Sequence, residues 1–290
     1  MKSIILGSAQ FGMKYGINNI DQRVKLSEIR SILNFARESY LDIIDTAITY
    51  NESEQVLGSI GLGSFKVISK LPKLPSDILD VNLWVKDQTI SSINRLNVKS
   101  LHGLLLHSPS DLIGSNGSKL KKALNNLKSS GLVSKIGVSI YDPEELDNIF
   151  PLMKIDIVQC PLNLIDRRIE TSGWLSKLYH ENIEVHVRSI FLQGLLLIER
   201  NKIPSKFEKW SEIWDQWSFK LDSKGLNALD ACLSYPLSLK EVNSIIVGVD
   251  STKQLKDIIY ASKKKIVKED WYFMISNNRM LINPSNWSDL

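Results

Sequence analysis

Eight times along this chain a short apolar, β-rich run gives way to a stretch with helical periodicity. The runs are Ser3–Leu6, Asp42–Asp45, Lys66–Lys70, Leu101–His107, Lys135–Ser139, Asp156–Gln159, Glu184–Ser189 and Ser244–Gly248. The helical stretches are Ser27–Glu38, Ser53–Ile60, Leu79–Leu96, Ser118–Ser130, Pro143–Ile149, Glu170–His180, Gly225–Leu233 and Lys253–Ala261. Short β-branched strands without polar alternation are strands covered on both faces. Alternation with helices then implies right-handed crossovers and a parallel sheet. Eight repeats favour closure into an α/β (β/α)8 TIM barrel over an open sheet, and such barrels run to ~250 residues as one domain. The expectation is one barrel domain over residues 1–290, with 43% hydrophobic residues to fill its core.

The longest irregular piece follows strand 7, at residues 196–224. It contains Trp210, Trp214 and Trp217. Spacings of four and three predict an extra helix with a packing stripe; a lid over a substrate is the alternative. Asp142-Pro143-Glu144-Glu145 reads as a helix start, with a cap, a proline in the first turn and acids beside the dipole. Gly61 and Gly63 follow a predicted helix and lead into strand 3, so they read as a C-cap and turn and not as a dinucleotide loop.

Several function classes are excluded at this level. The net charge is +4, from 36 basic and 32 acidic residues, too diffuse for a nucleic-acid face. The densest cluster, Lys263-Lys264-Lys265 with Lys268, sits at a predicted helix end and complements its dipole. Two cysteines, Cys160 and Cys232, make neither a disulfide framework nor a metal cluster, and four histidines are too scattered for a metal site. No apolar run approaches a membrane span or a secretory core, so the expectation is a cytoplasmic protein with no membrane partner. No P-loop, zinc-protease motif or Gly-rich dinucleotide fingerprint is present. Oligomeric state leaves no trace in the sequence.

The stretch DIIDTAITYNESE, residues 42–54, ends a buried run on a carboxylate and places a phenol five residues later. In a barrel the active site lies at the C-terminal strand ends. Strand 2 ends at Asp45 with Tyr50 in its loop, strand 3 at Lys70 and strand 4 at His107. Each alone reads as an ordinary strand-end cap, rim aromatic or solvated charge. Together they place an acid, a phenol, an amine and an imidazole at one mouth, with Gln10 and Phe11 after strand 1 beside them.

This set resembles the aldo-keto reductase superfamily, whose pattern orders Asp, Tyr, Lys and His along the chain in the same way. The resemblance also covers LGSAQFGMKYG (6–16), DTAITYNESEQVLG (45–58), LLLHSP (104–109), GVS (137–139), VQCPLN (158–163), FLQGLLL (191–197) and IIVGVDSTKQL (245–255). It implies an NAD(P)H-dependent oxidoreductase that interconverts an aldehyde or ketone and an alcohol, and a small carbonyl, polyol or sugar-derived substrate as its partner. Tyr50 would act on the carbonyl oxygen as general acid, and Lys70 would lower the pKa of its phenol. Asp45 would hold the lysine and His107 would orient the carbonyl. Ser139 and Gln159 fall at positions that bind the nicotinamide amide. Arg188 stands where a stacking tyrosine is common, and a guanidinium plane can also stack. Ser189, Phe191, Gln193 and Gly194 fall where the pyrophosphate is cradled, and Gly248, Asp250, Ser251 and Gln254 at the adenosine end. The resemblance favours NADP(H), although Asp250 sits near where a cation is common; Ser251 and Lys253 could hold the phosphate. Two other classes remain open: a cofactor-binding regulatory barrel with little turnover, and an aldolase barrel in which Lys70 forms a Schiff base.

Overall fold

The computed structural model describes residues 2–17, 23–264 and 271–290. Eight parallel strands close into a barrel in sequence order. They are β1 (Ser3–Gly7), β2 (Ile43–Asp45), β3 (Lys66–Leu71), β4 (Leu101–Leu106), β5 (Val133–Ser139), β6 (Ile157–Pro161), β7 (Glu184–Arg188) and β8 (Ser244–Gly248). β1 closes on β8 in register from Ser3↔Ser244 to Gly7↔Gly248. The expected (β/α)8 barrel is the fold found.

Side chains on a strand alternate between faces, so one residue in two points into the barrel. Ile43, Ile68, Leu105 and Ile157 form a small apolar cluster of their own, separate from the large core between strands and helices. Two residues further along the same strands stand Asp45, Lys70, His107 and Gln159. The strand period therefore stacks the polar set one layer above an apolar plug. At the opposite end of the barrel, Ser3 and Ser244 share a hydrogen bond of 2.6 Å, and Lys135 pairs with Glu184 at 2.5 Å.

Helices depart from expectation where the backbone needs a left-handed residue. The predicted helix 170–180 is two pieces, Arg168–Thr171 and Trp174–His180, divided at Gly173 with φ 82°. Gly225 does not open a helix. It caps the C-terminus of Ser211–Lys224 with φ 58°, and the next helix is Ala228–Ser238. Ser211–Lys224 is the extra helix expected after strand 7. Trp214 and Trp217 are buried, the indole Nε1 of Trp214 donates to Phe207 O at 3.0 Å, and Trp217 meets the Trp271 ring edge-on at 5.1 Å. Trp214 and Trp217 thus form the packing stripe that fastens the insertion down, and none of the three tryptophans lines the cavity described below.

Lys264 pairs with Asp230 at 2.7 Å, joining the helices Thr252–Ser262 and Ala228–Ser238; Lys265 and Lys268 lie outside the described residues. No helix among the described residues is long and apolar enough to cross a membrane, and none of their His, Cys, Asp and Glu side chains form a cluster suited to a metal ion.

Candidate active site

A cavity of about 500 Å³ opens at the C-terminal strand ends. That lies within the roughly 300–1,000 Å³ typical of small-molecule sites. Asp45, Tyr50, Gln159 and Arg188 line its inner end, and Gly248, Asp250, Gln254 and Asp257 its outer end. The loop after β7 (Ser189, Phe191, Gln193 and Gly194) forms one long wall.

At the inner end, the Lys70 ammonium donates to Asp45 Oδ2 at 2.6 Å and to the Thr46 carbonyl at 2.8 Å. The other oxygen of Asp45 accepts from Gln159 Nε2 at 2.8 Å. The carboxylate is therefore satisfied on both oxygens, from β3 and from β6. Lys70 Nζ lies 5.2 Å from the centroid of the Tyr50 ring, and the His107 ring meets Tyr50 edge-on at 6.0 Å. The four residues read from the sequence do converge.

The DIIDTAITYNESE stretch achieves this through packing. Ser53 Oγ, at the start of the helix Ser53–Ile60, donates toward Ser8 O (3.0 Å) and Ser8 Oγ (2.9 Å), tying the helix to the end of β1. Glu54 is buried and accepts from Ser69 Oγ (2.7 Å), Ser92 Oγ (2.6 Å) and Arg95 Nε (2.8 Å). Gly12 touches the Tyr50 loop so closely that a Cβ there would lie 2.0 Å from Tyr50 O. Backbone and buried polar contacts thus fix the loop that carries the phenol.

Burial, then the Asp45 charge, push the Tyr50 phenol above its ordinary range, with Arg188 opposing. The net shift is upward, where the sequence reading expected Lys70 to bring the phenol down, because burial dominates. The Asp45 carboxylate, 2.6 Å from the ammonium, offsets part of what Lys70 would do for the phenolate. Burial also draws the Lys70 ammonium below its usual value, and Asp45 opposes that. Burial, with the charges of Lys70 and Arg188, lowers His107 to about 4. The imidazole is neutral at pH 7, and its Nδ1 shares a hydrogen bond of 3.1 Å with Thr49 Oγ1.

Other expected residues fall in varied places. Ser139 is buried behind Gln159, 3.5 Å from its Oε1, and not on the cavity wall. Phe11 is buried in the main core, away from the mouth, while Gln10 lines it. Gln10 crosses so close to Gly248 that a Cβ there would meet its amide at 2.4 Å. Ser189, Leu192 and Gln193 have φ of 59°, 46° and 52° without being glycine. Left-handed backbone at non-glycine residues costs free energy that is tolerated mainly at functional loops. Ser251 caps the helix Thr252–Ser262, accepting from Gln254 N at 3.2 Å, and the Gln254 amide oxygen accepts from Asp250 N at 2.7 Å. Lys253 points to Asp257 at 2.7 Å.

The sequence reading missed Tyr15, which lines the cavity near Tyr50, and Tyr141, whose ring carries the Arg188 guanidinium at 4.4 Å. It also missed Thr49 beside His107. Tyr15 lies in the loop after β1 and Tyr141 two residues past the end of β5, so strand-end position was the available signal.

The cavity suits a dinucleotide in its glycine-lined walls at Gly7 and Gly248 and in the strained loop 189–194 beside it. Comparison with known proteins agrees. Residues 3–274 match the model of the aldo/keto reductase family. A Bacillus subtilis (strain 168) protein described as an uncharacterized oxidoreductase, YqkF, is 22% identical, covering 93% of this chain and 94% of its own length. Among solved structures, the holo form of the aldo-keto reductase AKR11C1 from Bacillus halodurans superposes with a TM-score of 0.73 at 19% identity, over 92% of this chain and 88% of that one. The glycerol dehydrogenase AKR11B4 from Gluconobacter oxydans gives 0.67 at 18%, over 91% and 87%. Extending over nearly the whole barrel, the family match makes this chain a member of the aldo/keto reductase family and an NAD(P)H-dependent oxidoreductase.

Proposed function

We propose that the protein reduces an aldehyde or ketone to the alcohol, with Tyr50 giving the proton. The observation that carries this reading is the buried Asp45–Lys70 pair seated against Tyr50, with neutral His107 alongside. When bound, the nicotinamide supplies the hydride that goes to the carbonyl carbon. The carbonyl oxygen takes the Tyr50 proton, and the product is the alcohol. A phenol held above its ordinary pKa keeps that proton through neutral pH until negative charge develops on the substrate oxygen. If Thr49 donates to His107 Nδ1, the imidazole carries its own proton on Nε2 and offers it to the same oxygen. Lys70 limits the cost of phenolate, and Asp45, held by Gln159, fixes Lys70.

Gln159 would take the nicotinamide amide, with Ser139 supporting it from behind. Ser189, Phe191, Gln193 and Gly194 would border the pyrophosphate, and Gly248, Asp250, Ser251 and Gln254 the adenosine. NADP(H) is the form the resemblance implies. Its phosphate would have to settle beside Asp250 and Asp257, with Lys253 turning away from Asp257 to meet it. A polyol or sugar-derived substrate is a further extension; one of the solved relatives is named a glycerol dehydrogenase. A cofactor-binding barrel with little turnover would be expected to have lost part of the four-residue set, which is intact.

Tyr50→Phe tests the reading. Loss of general acid catalysis should lower kcat by about 100-fold to 10,000-fold across a carbonyl panel, with the dissociation constant for reduced cofactor nearly unchanged. Near-normal turnover in this variant would remove Tyr50 from the reaction.

A further inference from the structure

Among the described residues that line the cavity, Arg188 is the only arginine or lysine. Its guanidinium is held on three sides. Nη2 donates to Ile140 O at 2.9 Å, Nη1 to Ser189 Oγ at 3.3 Å, and Cζ lies 4.4 Å from the Tyr141 ring centroid. All three partners are neutral. Among the described residues no carboxylate lies within ion-pair distance of it, although Asp45 lines the same cavity.

The other charges at the inner end cancel. Asp45 is matched by Lys70, and His107 is neutral at pH 7. One net positive charge therefore remains, on a half-buried side chain beside the reactive tyrosine. Leaving a cation partly desolvated without a counter-ion costs free energy. Stacking on Tyr141 fixes its plane and covers one face, and the edge still carries uncommitted donors. Of the five N–H donors of a guanidinium, two are committed here and three remain. A fixed planar fork with spare donors matches a carboxylate.

We propose that Arg188 determines specificity for carbonyl substrates that carry a carboxylate, binding that carboxylate while the carbonyl oxygen lies between Tyr50 and His107. This rests on the reductase reading above and names the substrate class within it. Tyr141 takes one face of the guanidinium, which leaves the opposite face for the nicotinamide stacking the sequence implies and the edge for the carboxylate.

The test uses 2-, 3- and 4-carboxybenzaldehyde, each beside the matching carbamoylbenzaldehyde. Comparing kcat/KM within each pair cancels any change in cofactor handling. At least one carboxylate isomer should be preferred by about tenfold or more, the worth of a charge-assisted hydrogen bond, mainly through KM. The preference should vanish in Arg188→Met and survive in part in Arg188→Lys, which keeps the charge without the fork. A second arm needs no turnover: calorimetry of the matching hydroxymethylbenzoates on Tyr50→Phe protein saturated with NADPH. Binding there that disappears when Arg188→Met is added upholds the Arg188 assignment even if Tyr50 proves not to be the proton donor. Equal pair ratios in the wild type and Arg188→Met, or weaker NADPH binding in Arg188→Met with the ratios unmoved, would overturn it.

Discussion

Lys70 Nζ and Asp45 Oδ2 lie 2.6 Å apart, with side chains only 1% and 5% exposed. The pair sits at the end of two neighbouring strands, paired Asp45↔Ile68 in register, directly beside the Tyr50 ring. Neither charge has water to fall back on, so each sets what the phenol experiences when the other is removed.

Removing either partner should therefore move the basic limb of alcohol oxidation in opposite directions. Lys70→Met leaves the Asp45 charge facing the phenol, so the phenolate forms at higher pH and the limb shifts up. Asp45→Asn removes the charge that raises Tyr50, so the limb shifts down. Breaking a buried pair costs ~3–5 kcal/mol, and both variants should melt earlier. Shifts of the same sign in a pH–rate profile would refute this account of the pair.

His107 provides a second pH signature. Its pKa in the fold is about 4 against an ordinary 6.5, so the folded state stays neutral where the unfolded chain is protonated. The stability it contributes is fully present above pH 6.5 and is lost as pH falls toward 4. The slope approaches roughly 1.4 kcal/mol per pH unit in that window. Urea titrations from pH 7 to 4 should show a shallower fall in His107→Gln than in wild type. If the two slopes coincide, the imidazole is not held neutral by the fold.

Gly12→Ala probes the loop geometry without touching a reactive group. The added methyl would meet Tyr50 O at 2.0 Å and Ser53 N at 2.4 Å, both backbone atoms that cannot step aside cheaply. Overpacking of this kind costs ~1–3 kcal/mol. The expected result is a lower melting temperature together with a fall in kcat, as Tyr50 is displaced from Lys70 and His107. Wild-type kcat in this variant would show that the loop can be moved without consequence.

Asp250→Arg tests the outer end of the cavity. The helix cap itself is made by the Ser251 side chain and by Gln254 accepting from the Asp250 backbone N–H, contacts that Asp250→Arg keeps. The new cation should shift the ratio of NADPH to NADH dissociation constants toward NADPH by about tenfold or more. An unchanged ratio measured by fluorescence titration would place Asp250 outside the cofactor site.

Much of this protein is determined by local sequence. Eight apolar strand runs, each followed by a helical period, are enough to imply a parallel closed sheet, because both signals depend on near neighbours. The strand period of two then places Asp45, Lys70 and His107 on the layer above Ile43, Ile68 and Leu105. Their convergence could therefore be read before any coordinate. What could not be read depends on contacts between distant segments. Gln159 reaches Asp45 across 114 residues, and Arg188 meets Tyr141 only when β5 and β7 flank β6 in the closed barrel. Helix breaks at Gly173 and Gly225 also escaped, since a left-handed residue leaves the surrounding periodicity almost intact. The sign of the Tyr50 shift was decided last and least locally. It depends on how much water the barrel mouth excludes and on Asp45 offsetting part of Lys70, two quantities that exist only once the strands have closed.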